Sequence, residues 1–270
     1  MKMVNYGLIE GQRKDDYLAG VLPFEERNPS GDWTPYLPLG EWQRNNFVDT
    51  MACVTFSALN AVEVQYKFLT GLERNFSDRY TARMSGTTSE GNWLFRVADS
   101  IRRDGLVDES IWPSPQNFTW DTYYTTPPIE VINKARTFLD DFVVQYEWVD
   151  VTRESLEKHL KHAPIQVTVP GHAVLNFLCL ADVQKYFDSY EPFIKERKEP
   201  FVSAMKIVLT KKHQTMTQKE VIDLYKLAFY REPTTSADPN NPGEREYWTG
   251  RTLQEFLDTA KKDRAAFLLQ

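Results

Sequence analysis

The chain has 270 residues and a formal net charge of −6, which argues against a globally basic surface for nucleic acid. With 41% hydrophobic and 13% aromatic residues it can bury a sizeable core, and it lacks the composition of an unfolded chain. Two cysteines, Cys53 and Cys179, exclude a disulfide framework and a cysteine-rich zinc site, and fit a reducing compartment.

The first residues, MKMVNYGLIEGQRKDDYLAG, hold no apolar run between their charges and do not read as a secretory leader. No later segment is long enough to span a bilayer, so no membrane partner is expected. Residues 1–48 read as irregular, punctuated by Pro23, Pro29, Gly31, Pro35, Pro38 and Gly40, with Trp33, Tyr36, Leu37 and Trp42 packing onto a core as an extended arm. Asp49 and Thr50 then stand as N-cap residues before MACVTFSALNAVEVQYKFL, a helix apolar on most sides and ended by Gly71. A second helix is predicted over Asn92–Asp104 and a third over Pro128–Phe142. A short polar one follows over Ser155–His162, capped by Ser155.

The period then changes. Residues 164–169, 172–183, 185–193 and 201–210 are rich in β-branched and aromatic residues and read as consecutive antiparallel strands. Helices first and strands second is the order of an α+β architecture. Lys211, Lys212 and His213 read as a solvated linker. Beyond it, capping boxes at Thr217–Glu220 and Thr252–Glu255 open two helices separated by EPTTSADPNNPGE, with Tyr225, Phe229, Tyr247, Trp248 and Phe256 as their shared core. The DPNNPGE stretch fits no standard calcium loop. Two domains are therefore expected, 1–212 and a helical hairpin at 213–270.

Cys53 falls at the first turn of the buried helix, where unpaired backbone N–H groups favour a thiolate. A thiolate needs a proton partner. Of the four histidines, His159 and His162 lie beside Lys158 and Lys161 on the polar helix and are expected to be exposed, and His213 lies in the linker. His172 instead follows Pro170-Gly171 and opens a strand, so its ring can project into a cleft. Asp188, in KYFDSYEP on the next strand, can come alongside and fix the imidazole tautomer.

These residues resemble the papain-like cysteine peptidases. CVTFSA (53–58) is similar to that family's C-W-A-F-S-A nucleophile motif, with Val54 in place of tryptophan, and GHAVLNF is similar to its histidine strand. The spacing from His172 to Asp188 (188 − 172 = 16) fits the family's histidine-to-asparagine separation. Asp32-Trp33, the segment 76–80, the segment Ser89-Glu90-Gly91-Asn92 and the stretch ADSIRRDGLVDESIWP fall in the family's order. The resemblance covers residues 32–193 and implies a two-lobed fold, helical on one side and β-rich on the other, around a cleft. It also implies a polypeptide substrate, bound at Gly91, Asn92 and Gly171, and neither metal nor cofactor.

Several positions depart from the family pattern. At the spacing of the family's oxyanion-hole glutamine stands Phe47; Gln43, with an insertion, is the preferred donor and Asn46 the alternative. The third triad residue is Asp188 rather than asparagine, and the family's disulfide cysteines and usual-length propeptide are absent. The residues before Cys53 read as domain rather than pro-segment. The C-terminal pattern resembles helical modules at the ends of bacterial and bacteriophage surface-associated proteins. It implies a surface or virion partner through residues 217–270 and a cytoplasmic or virion-associated setting. Two rival readings keep the same residues: a cysteine amidase acting on peptidoglycan, and a non-catalytic structural or virion-associated protein on a peptidase fold.

Overall fold

The computed structural model describes residues 5–11, 25–212, 221–222, 234–235, 243–249 and 251–252. The chain divides into two compact units, Met1–Lys211 and Lys212–Gln270. The first unit opens with a 3-10 turn, Thr34–Tyr36. Six helices follow: α1 (Cys53–Thr70), α2 (Asp78–Met84), α3 (Leu94–Asp104), α4 (Trp120–Tyr123), α5 (Ile129–Arg136) and α6 (Phe138–Asp141). Then come β1 (Phe142–Val149), α7 (Arg153–Leu160), β2 (Ile165–Val169), β3 (His172–Cys179), β4 (Gln184–Phe187), β5 (Ile194–Arg197) and β6 (Ala204–Lys211). In the second unit a short helix, α8 (Glu244–Trp248), forms where the sequence pattern gave a loop and its exit. The capping box at Thr217–Glu220 and the helix expected after Thr252 lie outside the described residues. Among the described residues no helix is long and apolar enough to cross a membrane.

The sheet is antiparallel throughout, in the order β1-β6-β2-β3-β4-β5. The strands from β2 to β5 follow one another as a meander, of which β2, β3 and β4 fall within runs that composition predicts. The last strand does not continue it; β6 inserts between β1 and β2. Two strands escaped the sequence pattern. β1 alternates buried Phe142, Val144 and Tyr146 with exposed Val143 and Gln145, a period of two hidden behind the helical stretch before it. That stretch is not one helix over Pro128–Phe142. It breaks at Thr137, whose hydroxyl turns back onto the Lys134 carbonyl at 2.7 Å and competes with the helical ladder.

Helix α1 is apolar on most sides because most of it, Cys53–Leu59 and Ala61–Tyr66, is buried. Cys53, Val54, Leu59, Val62 and Tyr66 pack against α3, β1 and β6. Ala61 and Val64 join Trp33 and the β2–β4 side, and Phe56 meets Ala82, Phe118 and Tyr123. Two buried glutamines fix its position on the sheet. Gln65 donates to Ile207 O at 2.9 Å and accepts from Leu209 N at 3.0 Å, tying the middle of α1 to β6. From β2, Gln166 donates to Val54 O and Ser57 Oγ, both at 2.8 Å, tying the first turn of α1 to the strand beside β3.

The caps differ from those expected. Helix α1 begins after Ala52 with no side-chain cap, because Asp49 and Thr50 are used elsewhere: Asp49 Oδ1 accepts from Met51 N at 2.9 Å and Thr50 Oγ1 donates to Gln43 O at 2.7 Å. Asn92 stands before α3 rather than in it. Helix α7 is capped by Thr152, not Ser155, whose N–H the Thr152 hydroxyl receives. Of the arm residues, Trp33 is fully buried and donates to Leu160 O at 2.7 Å, whereas Trp42 stays exposed.

Candidate active site

Pro170-Gly171 closes the turn between β2 and β3, with Gly171 at φ 72°, the left-handed value its second turn position requires. His172 is therefore the first residue of β3. The pairing of Leu175 with Phe187 carries Asp188 past the end of β4 to the side of the imidazole. His172 Nε2 and Asp188 Oδ1 are 2.7 Å apart, and both side chains are buried. Asp188 is held further by Tyr190 N–H on Oδ1 at 3.2 Å and by Lys195 Nζ on Oδ2 at 2.7 Å. Burial pushes its carboxyl up, but the bonds from His172 and Lys195 outweigh burial and hold it below the usual carboxylate range.

Cys53 meets this pair from the other lobe. Its Sγ receives the N–H of Ala173, the residue after His172, at 3.4 Å. With Nε2 committed to Asp188, the ring has Nδ1 left for a thiol, and Nδ1 is buried without a hydrogen-bond partner. The thiol and imidazole are thus neighbours in the fold but are not hydrogen-bonded. Both cysteines are free thiols. The expected lowering of the Cys53 pKa by the helix start is overturned: burial pushes the thiol up, the Ala173 N–H opposes this, and the charges of Asp49 and Asp188 push it up further.

A segment of the chain's own N-terminal region lies against these residues. Residues 5–11 run across the site as a strap. Tyr6 N donates to Gly171 O at 2.9 Å, Asn92 N to Gly7 O at 2.9 Å and Ile9 N to Asn92 O at 2.8 Å, making a parallel bridge between Leu8 and Asn92. The Tyr6 ring stands edge-on to His172 with centroids 5.0 Å apart, and Tyr190 lies 5.6 Å from the same imidazole. Contact is close enough to require glycine on both sides. A Cβ on Gly7 would lie 2.0 Å from Met51 O, and one on Gly91 would lie 2.0 Å from Gly7 O. Under the strap Cys53 is 0% exposed and His172 5%. Residues 5–11 lie against the site, residues 25–50 pack with the fold, and both belong to the same compact unit, Met1–Lys211.

Gln43 is buried, and its amide is oriented at both ends. Oε1 accepts from Ser189 Oγ at 2.7 Å, while Nε2 donates to Asp49 Oδ1 at 2.9 Å and to the main-chain carbonyl of Tyr6 at 3.0 Å. Asp49 also receives the Tyr190 hydroxyl. Asn46, the alternative donor, is exposed. Of the substrate positions read from the sequence, Gly171, Gly91 and Asn92 all touch the strap. Tyr6, Asp49, Tyr190 and Lys195 were not foreseen; Lys195 sits on a strand that the sequence pattern did not reveal, and no spacing rule points to it.

His159 and His162 are not exposed, as expected from their lysine neighbours, but buried at 7% and 1%. Each accepts through Nδ1 from Lys206 Nζ at 3.1 Å, and Lys206 is paired with Glu147 at 2.7 Å. Among the described residues, no cluster of histidine, cysteine, aspartate and glutamate could hold a metal ion.

No family description and no curated protein matches this sequence. Among solved structures, the chain is similar to xylellain, a cysteine protease from Xylella fastidiosa, with 14% identity and a TM-score of 0.56 over 77% of this chain and 98% of that one. It is similar to digestive procathepsin L 3 of the Tenebrio molitor larval midgut, with 15% identity and a TM-score of 0.53 over 76% of each chain. The recombinant stem bromelain precursor matches with 17% identity and a TM-score of 0.52, over 73% and 77%. The central helix bearing Cys53, packed against an antiparallel sheet bearing His172 and Asp188, is the papain-like cysteine protease fold.

Proposed function

We propose that this chain is a cysteine peptidase whose cleft is closed by its own residues 5–11, with residues 1–212 as the catalytic domain and residues 213–270 as an appended helical module. The observation that carries this reading is the Gln43–Tyr6 contact: the main-chain carbonyl of a residue whose ring packs on His172 already rests on a side-chain N–H. A substrate carbonyl entering that position would meet the same donor. Its backbone would take over the partners that the strap now uses at Gly171 and Asn92.

In the open form the Cys53 thiol passes its proton to His172 Nδ1, and the thiolate sulfur bonds to the substrate carbonyl carbon. The carbonyl oxygen takes up the electron pair and is received by Gln43 Nε2 and the Cys53 backbone N–H, which lies in the first turn of α1 with no helical acceptor. His172 returns the proton to the amine as the C–N bond breaks. Water, deprotonated by His172, then releases the acid from the thioester. Throughout, Asp188 holds the ring by Nε2 so that Nδ1 is the end that works.

The full-length Gly7→Val variant tests this, because its Cβ would strike the Met51 carbonyl and unseat the strap. Labelling of Cys53 by an epoxide-type thiol inhibitor should rise at least about tenfold over wild type, with hydrolysis of a peptide library rising alongside. Cys53→Ala in the same background should remove both. A second reading has its own observation, the fully buried sulfur of Cys53, and makes the chain a non-catalytic protein on this fold. It wins if hydrogen exchange shows the strap released and Cys53 still unlabelled, or if label goes to Cys179.

A further inference from the structure

The third member of the site is a buried carboxylate, and a carboxylate against an imidazole is not equivalent to an amide. It favours the imidazolium, and an over-stabilised imidazolium is a poor acid toward a departing amine. The structure meets that charge with a cation. Lys195 stands on β5, opposite Tyr186 of β4, and brings Nζ to 2.7 Å from Asp188 Oδ2. The two carboxylate oxygens are divided: Oδ1 takes the His172 ring and Tyr190 N–H, and Oδ2 takes the ammonium. The Asp188 side chain is 4% exposed and that of Lys195 25%. The ammonium therefore reaches a buried carboxylate from the rim of the site.

We propose that Lys195 is a positioning residue that offsets the Asp188 charge, so that the Asp188–Lys195 pair acts on His172 much as a neutral hydrogen-bond acceptor would. Its catalytic meaning rests on the peptidase reading, but its effect on the imidazole does not. Removing the ammonium leaves the Asp188 charge facing the ring without a counter-charge, so the ring should hold its proton to higher pH. Removing the carboxylate alone leaves the ammonium facing the ring through an amide, so the ring should lose its proton at lower pH. The other groups that face this pair are constant across such variants. Tyr6, Tyr186 and Tyr190 present phenol rings, with burial pushing the Tyr186 and Tyr190 hydroxyls up. Asp49 takes the Tyr190 hydroxyl, the Arg44 guanidinium lies 5.1 Å over the Tyr190 ring, and the Cys53 thiol is held neutral by burial.

The test is an NMR titration of the His172 ring in the full-length chain, with the signal assigned by its absence from His172→Gln. Lys195→Gln should move the midpoint up by about one pH unit and Asp188→Asn should move it down. The double variant Asp188→Asn/Lys195→Gln should return toward wild type, and Lys195→Arg, which keeps the charge, should match it. The proposal is overturned if the midpoint in Lys195→Gln equals that of wild type, or, should that variant not fold, if the double variant titrates like Asp188→Asn alone. Labelling of Cys53 in the Gly7→Val background is read separately. Shifts with the strap released and Cys53 unlabelled leave the role of Lys195 standing and remove the peptidase; labelling without shifts does the reverse.

Discussion

Two networks on one sheet bury a histidine against a charge, and they are built in opposite senses. At the cleft, His172 gives Nε2 to a carboxylate, and a lysine supports that carboxylate from the rim. On α7 and the turn after it, His159 and His162 turn Nδ1 toward the ammonium of Lys206, which a carboxylate, Glu147, supports from the neighbouring strand. The residue types are the same, but the order in which they touch is reversed. An imidazole whose first partner is an anion can accept a proton at its free nitrogen. One whose first partner is a cation must stay neutral, because its exposed lone pair is already in use. Burial and then the Lys206 charge push His159 down to about 4 and His162 down to about 3. Only the first arrangement suits proton transfer; the second is a packing device.

The sharpest way to break this comparison is Lys206→Met. Lys206 and Glu147 are both 1% exposed, so the change strips a cation from a carboxylate that water cannot reach. A loss of about 3–5 kcal/mol in unfolding free energy is expected from urea titration. Exchanging both partners for apolar residues should cost clearly less, since no buried charge is then stranded. Next in size is the response to acid. Both histidines fall below the ordinary value of 6.5, so their contribution to stability is complete above that pH. It is lost as protons bind the unfolded chain first, progressively from pH 6.5 toward 4 and then 3. Between about pH 7.5 and 5.5 the two should together remove about 2–3 kcal/mol. Asp188, held below its usual range, gives up stability only at lower pH. A urea midpoint that stayed flat down to pH 5.5 would contradict the burial of these rings as neutral groups.

The uneven legibility of the two networks has a physical cause. Cys53, His172 and Asp188 stand at boundaries, namely a helix start, a Pro-Gly turn and a strand end, and boundaries are written in local sequence. The second network was misread from its lysine neighbours, yet a signal was present. Leu156, His159 and Leu160 occupy one face of α7, so His159 lies on the buried stripe, and Lys206 interrupts the apolar run from Ala204 to Leu209. The strap over the site left no such signal. Asn5–Gly11 has neither strong helical nor strong strand periodicity, and its seat depends on two glycines approaching across the fold. Lys195 was hidden for a related reason: β5 alternates exposed and half-buried residues, so a lysine there looks like ordinary surface.

The smallest expected effect separates the two lysines most cleanly. Lys195→Gln also removes an ammonium 2.7 Å from a buried carboxylate, yet it should cost less than about 1 kcal/mol in the same urea titration. A quarter of the Lys195 side chain is exposed, so water can replace much of what the ammonium supplies. Asp188 Oδ1 also keeps its two other donors, His172 and Tyr190 N–H. A cost as large as that of Lys206→Met would make Lys195 a structural cation like Lys206 and erase the distinction between the two networks.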